Sequence, residues 1–348
     1  MVRPATPLGP VGLILPTIPQ DGTASWAPRA SGGATTGRNS AHPGVEDAGG
    51  GAPFAELTAT CAAAETAGAS GLWVCDHVFW HRPVLECMTA LTVAAMATRS
   101  AVVGTAVVQL SLRNPSVVAK QAAALQSATG GRVVLGVGVG SHAGEYEQAG
   151  ADYGRRGHHL DLGIDVLRSS WRSGDGVSTG DVDAGGAARY RQLPAPPTVP
   201  VWVGGSSEAA LRRAASRADG WMPLFLDAEA YAAALERLRK EVERAGRPEG
   251  SVTASVVLFV SVDDDPGEAR RRGLSWMSSL YGLPVKAFAR HLVAGTAADV
   301  AARVGAYRRA GAEHVVVYVT DDHPLPQFGA LQAALGSTDR HSSYPTAT

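Results

Sequence analysis

Charge is scarce in this chain, and neither sign dominates. Asp, Glu, Lys and Arg make up 18% of its 348 residues, and 31 basic against 32 acidic side chains leave a formal net charge of −1. That balance offers no basic field to a nucleic-acid backbone. The arginines that do cluster, Arg212/Arg213 and Arg270/Arg271/Arg272, fall on helical faces. Cysteine is scarcer still. Cys61, Cys75 and Cys87 are too few for a disulfide framework and contain no CxxC pair, which points to a reduced, cytoplasmic protein. Long apolar runs are missing too. None approaches the roughly 20 residues that span a bilayer, and the N-terminus lacks the basic-then-apolar order of a signal peptide. The expectation is therefore a globular protein with no nucleic-acid or membrane partner.

Hydrophobic residues reach 45%, enough for a large core. They come as short apolar runs that alternate with longer Ala-rich helical patterns. The runs are Val11–Pro16, Leu72–Cys75, Ala101–Val108, Arg132–Val139, Val199–Val203, Gly220–Pro223, Thr253–Val260 and His314–Val319. Helices are expected at Pro53–Ala67, Glu86–Thr98 and Pro115–Ala128. Runs apolar on both faces, each followed by a helix, describe a buried parallel sheet. Eight of them suggest an α/β fold closed into a (β/α)8 TIM barrel, although the pattern alone also admits a doubly wound open sheet.

One domain over residues 1–336 is expected, with three interruptions. Residues 21–51 are rich in Gly, Ser, Ala and Thr and read as a long loop over the site. Residues 173–200 form a polar insertion around a short β-like piece, Ala188–Leu193. Residues 273–293 have mixed character. The polar stretch 337–348 reads as a disordered tail.

In a parallel barrel the reactive groups collect where strands end. The second run ends in Asp76-His77. An imidazole moves protons near neutral pH, and a neighbouring carboxylate can orient it; a solvated strand end explains the same pair. The third run holds Gly104, Ala106 and Val107, ending at Gln109, where small residues admit a flat ligand or simply pack. The fourth ends Gly136-Val137-Gly138-Val139-Gly140-Ser141. This lacks the third glycine and downstream acid of a dinucleotide fingerprint, and is read as a backbone cradle for a ligand. Glu145 and Tyr146 follow on the next helix, Glu145 being a capping, ion-pairing or catalytic residue. The fifth ends Gly204-Gly205-Ser206-Ser207 and passes straight into a helix, which suits an anion and an ordinary N-cap alike.

Other chemistries find no motif. His158 and His159 lack HxxxH or HxxE partners, so no metal is expected. His314 precedes an apolar strand and reads as structural. No GxSxG elbow or Walker loop is present.

Five stretches, "AETAGASGLWVCDHV", "VVGTAVVQLSLRNPSVVAKQAAAL", "GRVVLGVGVGSHAGEYEQAGADYGRRG", "VPVWVGGSSEAALRRAASRADGW" and "GTAADVAARVGAYRRAGAEHVVVYV", occur in an order that resembles the luciferase-like monooxygenase superfamily from Val11 to about Leu335. The resemblance implies a tricyclic redox cofactor across the barrel mouth. It implies a non-prolyl cis peptide at Ala106–Val107 behind the ring, and a cofactor phosphate on Gly204, Gly205 and Ser206. Gly138, Gly140 and Ser141 join that expected cofactor-binding set. The Asp76-His77 pair is similar to that of the branch using the deazaflavin coenzyme F420, which makes His77 the proton-handling group and Asp76 its orienting or cofactor-contacting neighbour. The resemblance also admits FMN: an oxygen-using monooxygenase fed reduced FMN by a separate reductase, or a non-catalytic flavin-binding relative. Sugar-phosphate dehydrogenases of the deazaflavin branch carry an acid where Ser141 stands, so another small-molecule substrate is expected. Relatives often form homodimers, and the same is expected here.

Overall fold

The computed structural model describes residues 11–17, 53–172 and 198–341. The 21–51 loop, the piece Ala188–Leu193 with nearly all of its insertion, and residues 342–348 lie outside the described residues.

The strands are β1 (Val11–Ile14), β2 (Gly71–Val74), β3 (Val102–Thr105), β4 (Val108–Gln109), β5 (Val133–Gly138), β6 (Val201–Gly204), β7 (Gly220–Met222), β8 (Thr253–Val262), β9 (Leu292–Gly295) and β10 (His314–Val319). The helices are α1 (Pro53–Thr66), α2 (Cys87–Ala97), α3 (Pro115–Ala128), α4 (Ala143–Gln148), α5 (Arg156–Arg172), α6 (Glu208–Arg217), α7 (Ala228–Arg244), α8 (Pro266–Tyr281), α9 (Ala297–Arg309) and α10 (Leu325–His341). Every strand pairing is parallel, and β10 pairs with both β1 and β8, which closes eight strands into a barrel. This is the TIM barrel that the alternating runs suggest, and the open sheet is excluded. No helix among the described residues is long and apolar enough to cross a membrane.

Closure follows from the strands having two apolar faces. Along β10, Val315, Val317 and Val319 pack outward under the helices, while Val316 and Tyr318 point into the barrel. The lower interior is filled by two large rings among glycines. Trp73 and Trp202 lie with ring centroids 5.3 Å apart. A Cβ on Gly12 would come 2.7 Å from Trp73, one on Gly104 2.4 Å from it, and one on Gly220 2.4 Å from Trp202. Large residues opposite residues without side chains give the close packing that cores require. His314 stacks on Trp202 at 5.6 Å, and burial pushes its imidazole down to about 4, so it serves as a neutral core ring.

Three differences from the sequence expectations have physical causes. The third run is split into β3 and β4, because the chain kinks at Ala106–Val107 and resumes pairing with β5 two residues later. Residues 273–293 are not irregular: they hold the end of α8 and lead into β9, a strand the apolar runs did not reveal. β9 pairs along the last residues of β8, from Phe259↔Leu292 to Val262↔Gly295, and so needs only one apolar edge. Helix α10 continues to His341, past the point where the tail is expected to begin.

Candidate functional site

β2 delivers Cys75, Asp76 and His77 to the mouth of the barrel, immediately past its last paired residue, Val74. Asp76 does not orient His77. Its side chain is sealed from solvent, and its oxygens bind Arg113 as a fork, Oδ1 to Nη2 at 2.6 Å and Oδ2 to Nε at 3.0 Å. Oδ2 also accepts the Gln109 backbone N–H at 2.8 Å. Arg113 continues to Glu86, the N-cap of α2, through Nη1 at 2.8 Å. Burial works against the guanidinium charge, but hydrogen bonding to Asp76 and the nearby carboxylates raise its pKa above the ordinary value. Asp76 is thus a clamp joining the ends of β2 and β4 to α2. Both of its oxygens are committed to protein donors.

The orienting role belongs to Glu145. This carboxylate, wholly buried on the short helix α4, takes the Val78 N–H at 2.5 Å and the Phe79 N–H at 3.2 Å on Oε1. Its Oε2 lies 3.2 Å from His77 Nδ1. Gln109 completes the arrangement: its Nε2 reaches both oxygens of Glu145 at 3.1 and 3.0 Å and the Asp76 carbonyl at 2.9 Å. Burial alone would raise the pKa of Glu145. Hydrogen bonds from His77 and Gln109, the imidazole charge and the Phe79 N–H outweigh it, and the carboxylate is held below its ordinary range. A carboxylate at Nδ1 favours the tautomer with its proton there and leaves the Nε2 lone pair outside that contact. His77 keeps 21% of its side-chain surface exposed, and its ring plane is fixed by Trp80, stacked at 3.8 Å and 21°.

The expected cofactor residues divide into two groups. Ala106 and Val107, joined by a cis peptide, are half-buried against the interior cluster at the mouth. Gly204, Gly205 and Ser206 run from β6 toward α6, whose N-cap Ser207 accepts from Ala210 N. Gly205 has φ +104°, which favours glycine, and its carbonyl accepts from Trp221 Nε1 at 2.8 Å. Backbone N–H groups of the first turn of α6, next to residues with little or no side chain, suit a phosphate. Gly138 and Gly140 have a different purpose. A Cβ at Gly138 would lie 2.5 Å from Val107 Cγ2, and one at Gly140 1.9 Å from Gln109 Oε1. Both glycines make room for the chain's own side chains. Ser141 is exposed, its carbonyl accepting from Tyr153 at 3.1 Å.

The sequence reading left Gln109, Arg113 and Trp80 out of the site. Gln109 and Arg113 are polar residues at and just after an apolar strand end, which is the available signal. Their partners lie 27–37 positions away. His158 and His159 sit on α5 with rings 6.1 Å apart. Among the described residues no group of three or more His, Cys, Asp or Glu is arranged to hold a metal.

A family model described as luciferase-like monooxygenase matches residues 31–281. An uncharacterized protein of Mycobacterium tuberculosis is 36% identical over 163 residues, 45% of this chain and 52% of that protein. A phthiodiolone/phenolphthiodiolone dimycocerosates ketoreductase of Mycobacterium kansasii is 31% identical over 200 residues, 54% of this chain and 53% of the relative. The chain thus spans about half the length of the curated relatives it matches. In fold it is similar to an F420-dependent secondary alcohol dehydrogenase solved with an F420-acetone adduct, at TM-score 0.72 and 18% identity over 82% of this chain and 94% of the other. It is also similar to monooxygenase RslO1 from Streptomyces bottropensis, at TM-score 0.71 and 17% identity over 96% and 99%.

Proposed function

The chain belongs to the luciferase-like monooxygenase family, and from that premise we propose that it is an F420-dependent oxidoreductase acting on a small organic carbonyl or alcohol. The observation that carries this reading is His77, held at the barrel mouth through Nδ1 by Glu145 with its ring against Trp80. The fold shared with an F420-dependent alcohol dehydrogenase supports it. The three free cysteines suit a reducing cytoplasm.

The residues present fit such a cofactor. Gly204, Gly205 and Ser206 with the first turn of α6 would hold its phosphate, and the half-buried Ala106–Val107 kink would back its ring. When bound, F420 supplies or takes up a hydride at C5. His77 Nε2 gives a proton to the substrate oxygen as a carbonyl becomes an alcohol, and takes it back in the reverse direction. Glu145 and Gln109 position the imidazole, and the Asp76–Arg113 fork holds the strand ends that carry all three. The Ala106–Val107 kink between β3 and β4, the glycine corner at the end of β6 and His77 just after β2 come together because the parallel barrel sets these strand ends at one mouth.

A second reading is an oxygen-using monooxygenase that binds reduced FMN, favoured by the RslO1 likeness over 96% of the chain. Titration of the apoprotein with F420 and with FMN, oxidised and reduced, separates the two. Tight F420 binding with weak FMN binding supports the proposal; preference for reduced FMN, with oxygen uptake, refutes it.

A further inference from the structure

At the mouth, the interior cluster of the barrel ends in a half-buried aromatic wall. It consists of Trp80 from the loop after β2, Leu224 and Phe225 after β7, and Trp276 and Tyr281 on α8. Phe225 is centred in it, with ring centroids 5.6 Å from Phe259, 5.8 Å from Tyr281 and 6.3 Å from Phe288. It is held at φ +61°, a left-handed value that no other non-glycine among the described residues adopts. A bulky residue kept there points to a ring required at that place. Trp276 turns its polar edge away, donating from Nε1 to Asp322 at 3.1 Å.

No ring of the wall is itself charged; its ionisable neighbours are His291, 5.3 Å from Phe225 and held below its ordinary pKa by burial and by Arg290, and the Asp322 carboxylate, which accepts from Trp276. Burial pushes the Cys75 thiol beside it up to about 12 and raises the Tyr281 phenol, so both stay protonated at neutral pH. The flanking cations are engaged: Arg113 with Asp76 and Glu86, and Arg82 with the carbonyl of Ser279. That Arg82 contact ties the loop after β2 to α8. The rim on either side of it exposes Val78 and Phe79 on the loop, and Leu283 and Val285 beyond α8. An anionic substrate would lose its hydration here beside the Asp322 carboxylate and without a free cation, whereas a flat hydrocarbon gains ring contacts.

We propose that the site takes a neutral, flat, hydrocarbon-rich substrate with one carbonyl or hydroxyl, its oxygen at His77 and its ring system against Phe225, Trp276 and Tyr281. This rests on the redox reading above only for the oxygen at His77. The reaction balances as before: hydride to the carbonyl carbon, proton from His77 to the oxygen, with reduced F420 as reductant.

The test measures binding to F420-loaded enzyme by ligand-observed NMR and calorimetry, and turnover separately, with 2-acetonaphthone, 2-naphthoate and acetone as probes. 2-Acetonaphthone should bind at least about tenfold more tightly than either of the others, and Trp276→Leu should cost about fivefold of that affinity, narrowing its lead over acetone. Should the variant fail to fold, the preference of the wild-type enzyme among the three probes decides alone. Binding of 2-naphthoate as tight as that of 2-acetonaphthone, or of acetone just as tight, overturns the proposal. Selective binding of 2-acetonaphthone without turnover upholds the wall and fails the hydride reading. Turnover confined to small or charged substrates does the reverse.

Discussion

Replacing Glu145 with Gln tests the positioning scheme at its centre. The amide can keep an oxygen toward the Val78 and Phe79 N–H groups, which puts its NH2 where Oε2 now faces His77 Nδ1 and Gln109 Nε2. His77 can answer only by moving its proton to Nε2, the end meant to exchange with substrate, and Gln109 keeps its contact to the retained oxygen while losing the one at Oε2. One hydrogen bond to a charged acceptor is lost, about 1.5–3 kcal/mol, which for a chain of this size lowers Tm by roughly 2–4 °C. The wrong tautomer should reduce kcat on the order of 100-fold, about 2.7 kcal/mol, in both directions, because a catalyst cannot shift the equilibrium. Acidity adds a second readout. The folded pKa of Glu145 lies below its ordinary value, so its stabilisation is complete above the unfolded carboxylate value of about 4.3 and is lost as pH falls through the folded one. The Tm gap between wild type and variant should therefore be widest at neutral pH and close on acidification. Calorimetry across that range and steady-state rates provide the check. A variant that melts within about 1 °C of wild type at neutral pH and turns over normally would refute the scheme.

His77→Ala should bind cofactor as the wild type does and lose roughly 10²–10⁴ in turnover, which a cofactor titration beside a rate assay resolves. Arg113→Ala leaves the sealed Asp76 carboxylate without its cation and should cost about 3–5 kcal/mol in urea unfolding, with Arg113→Lys recovering only part because it cannot form the fork. Gly136→Ala would set a Cβ 2.0 Å from the Thr105 carbonyl, just before the kink. The backbone must move, and thermal melts should fall by the equivalent of about 3 kcal/mol or more, with cofactor affinity falling alongside.

The barrel was legible because parallel strands buried on both faces write themselves as unbroken apolar runs, and the place of His77 at the barrel mouth because it closely follows such a run. β9 was not legible, since a strand paired on one edge needs only Leu292 and Val293 as buried apolar side chains. The partner of His77 was misassigned for a related reason. Adjacency in sequence suggested Asp76, but neighbours at a strand end point in different directions, and the carboxylate that reaches Nδ1 comes from 68 positions away. Glu145 was visible as a residue of several roles, and only folding selects among them. Gly138 and Gly140 resemble a ligand cradle in sequence because clearance for a cofactor and clearance for Val107 or Gln109 both call for glycine.

The tryptophans that fill the lower barrel have a kinetic corollary. With Trp73 and Trp202 packed among glycines below the kink, the described residues of the barrel form a well open at one end. If two molecules share that single opening, the second to enter must be the first to leave. Exchange of the inner one then waits on departure of the outer. Product inhibition patterns should accordingly be those of an ordered mechanism, set by the floor of the barrel rather than by any residue that touches the substrate.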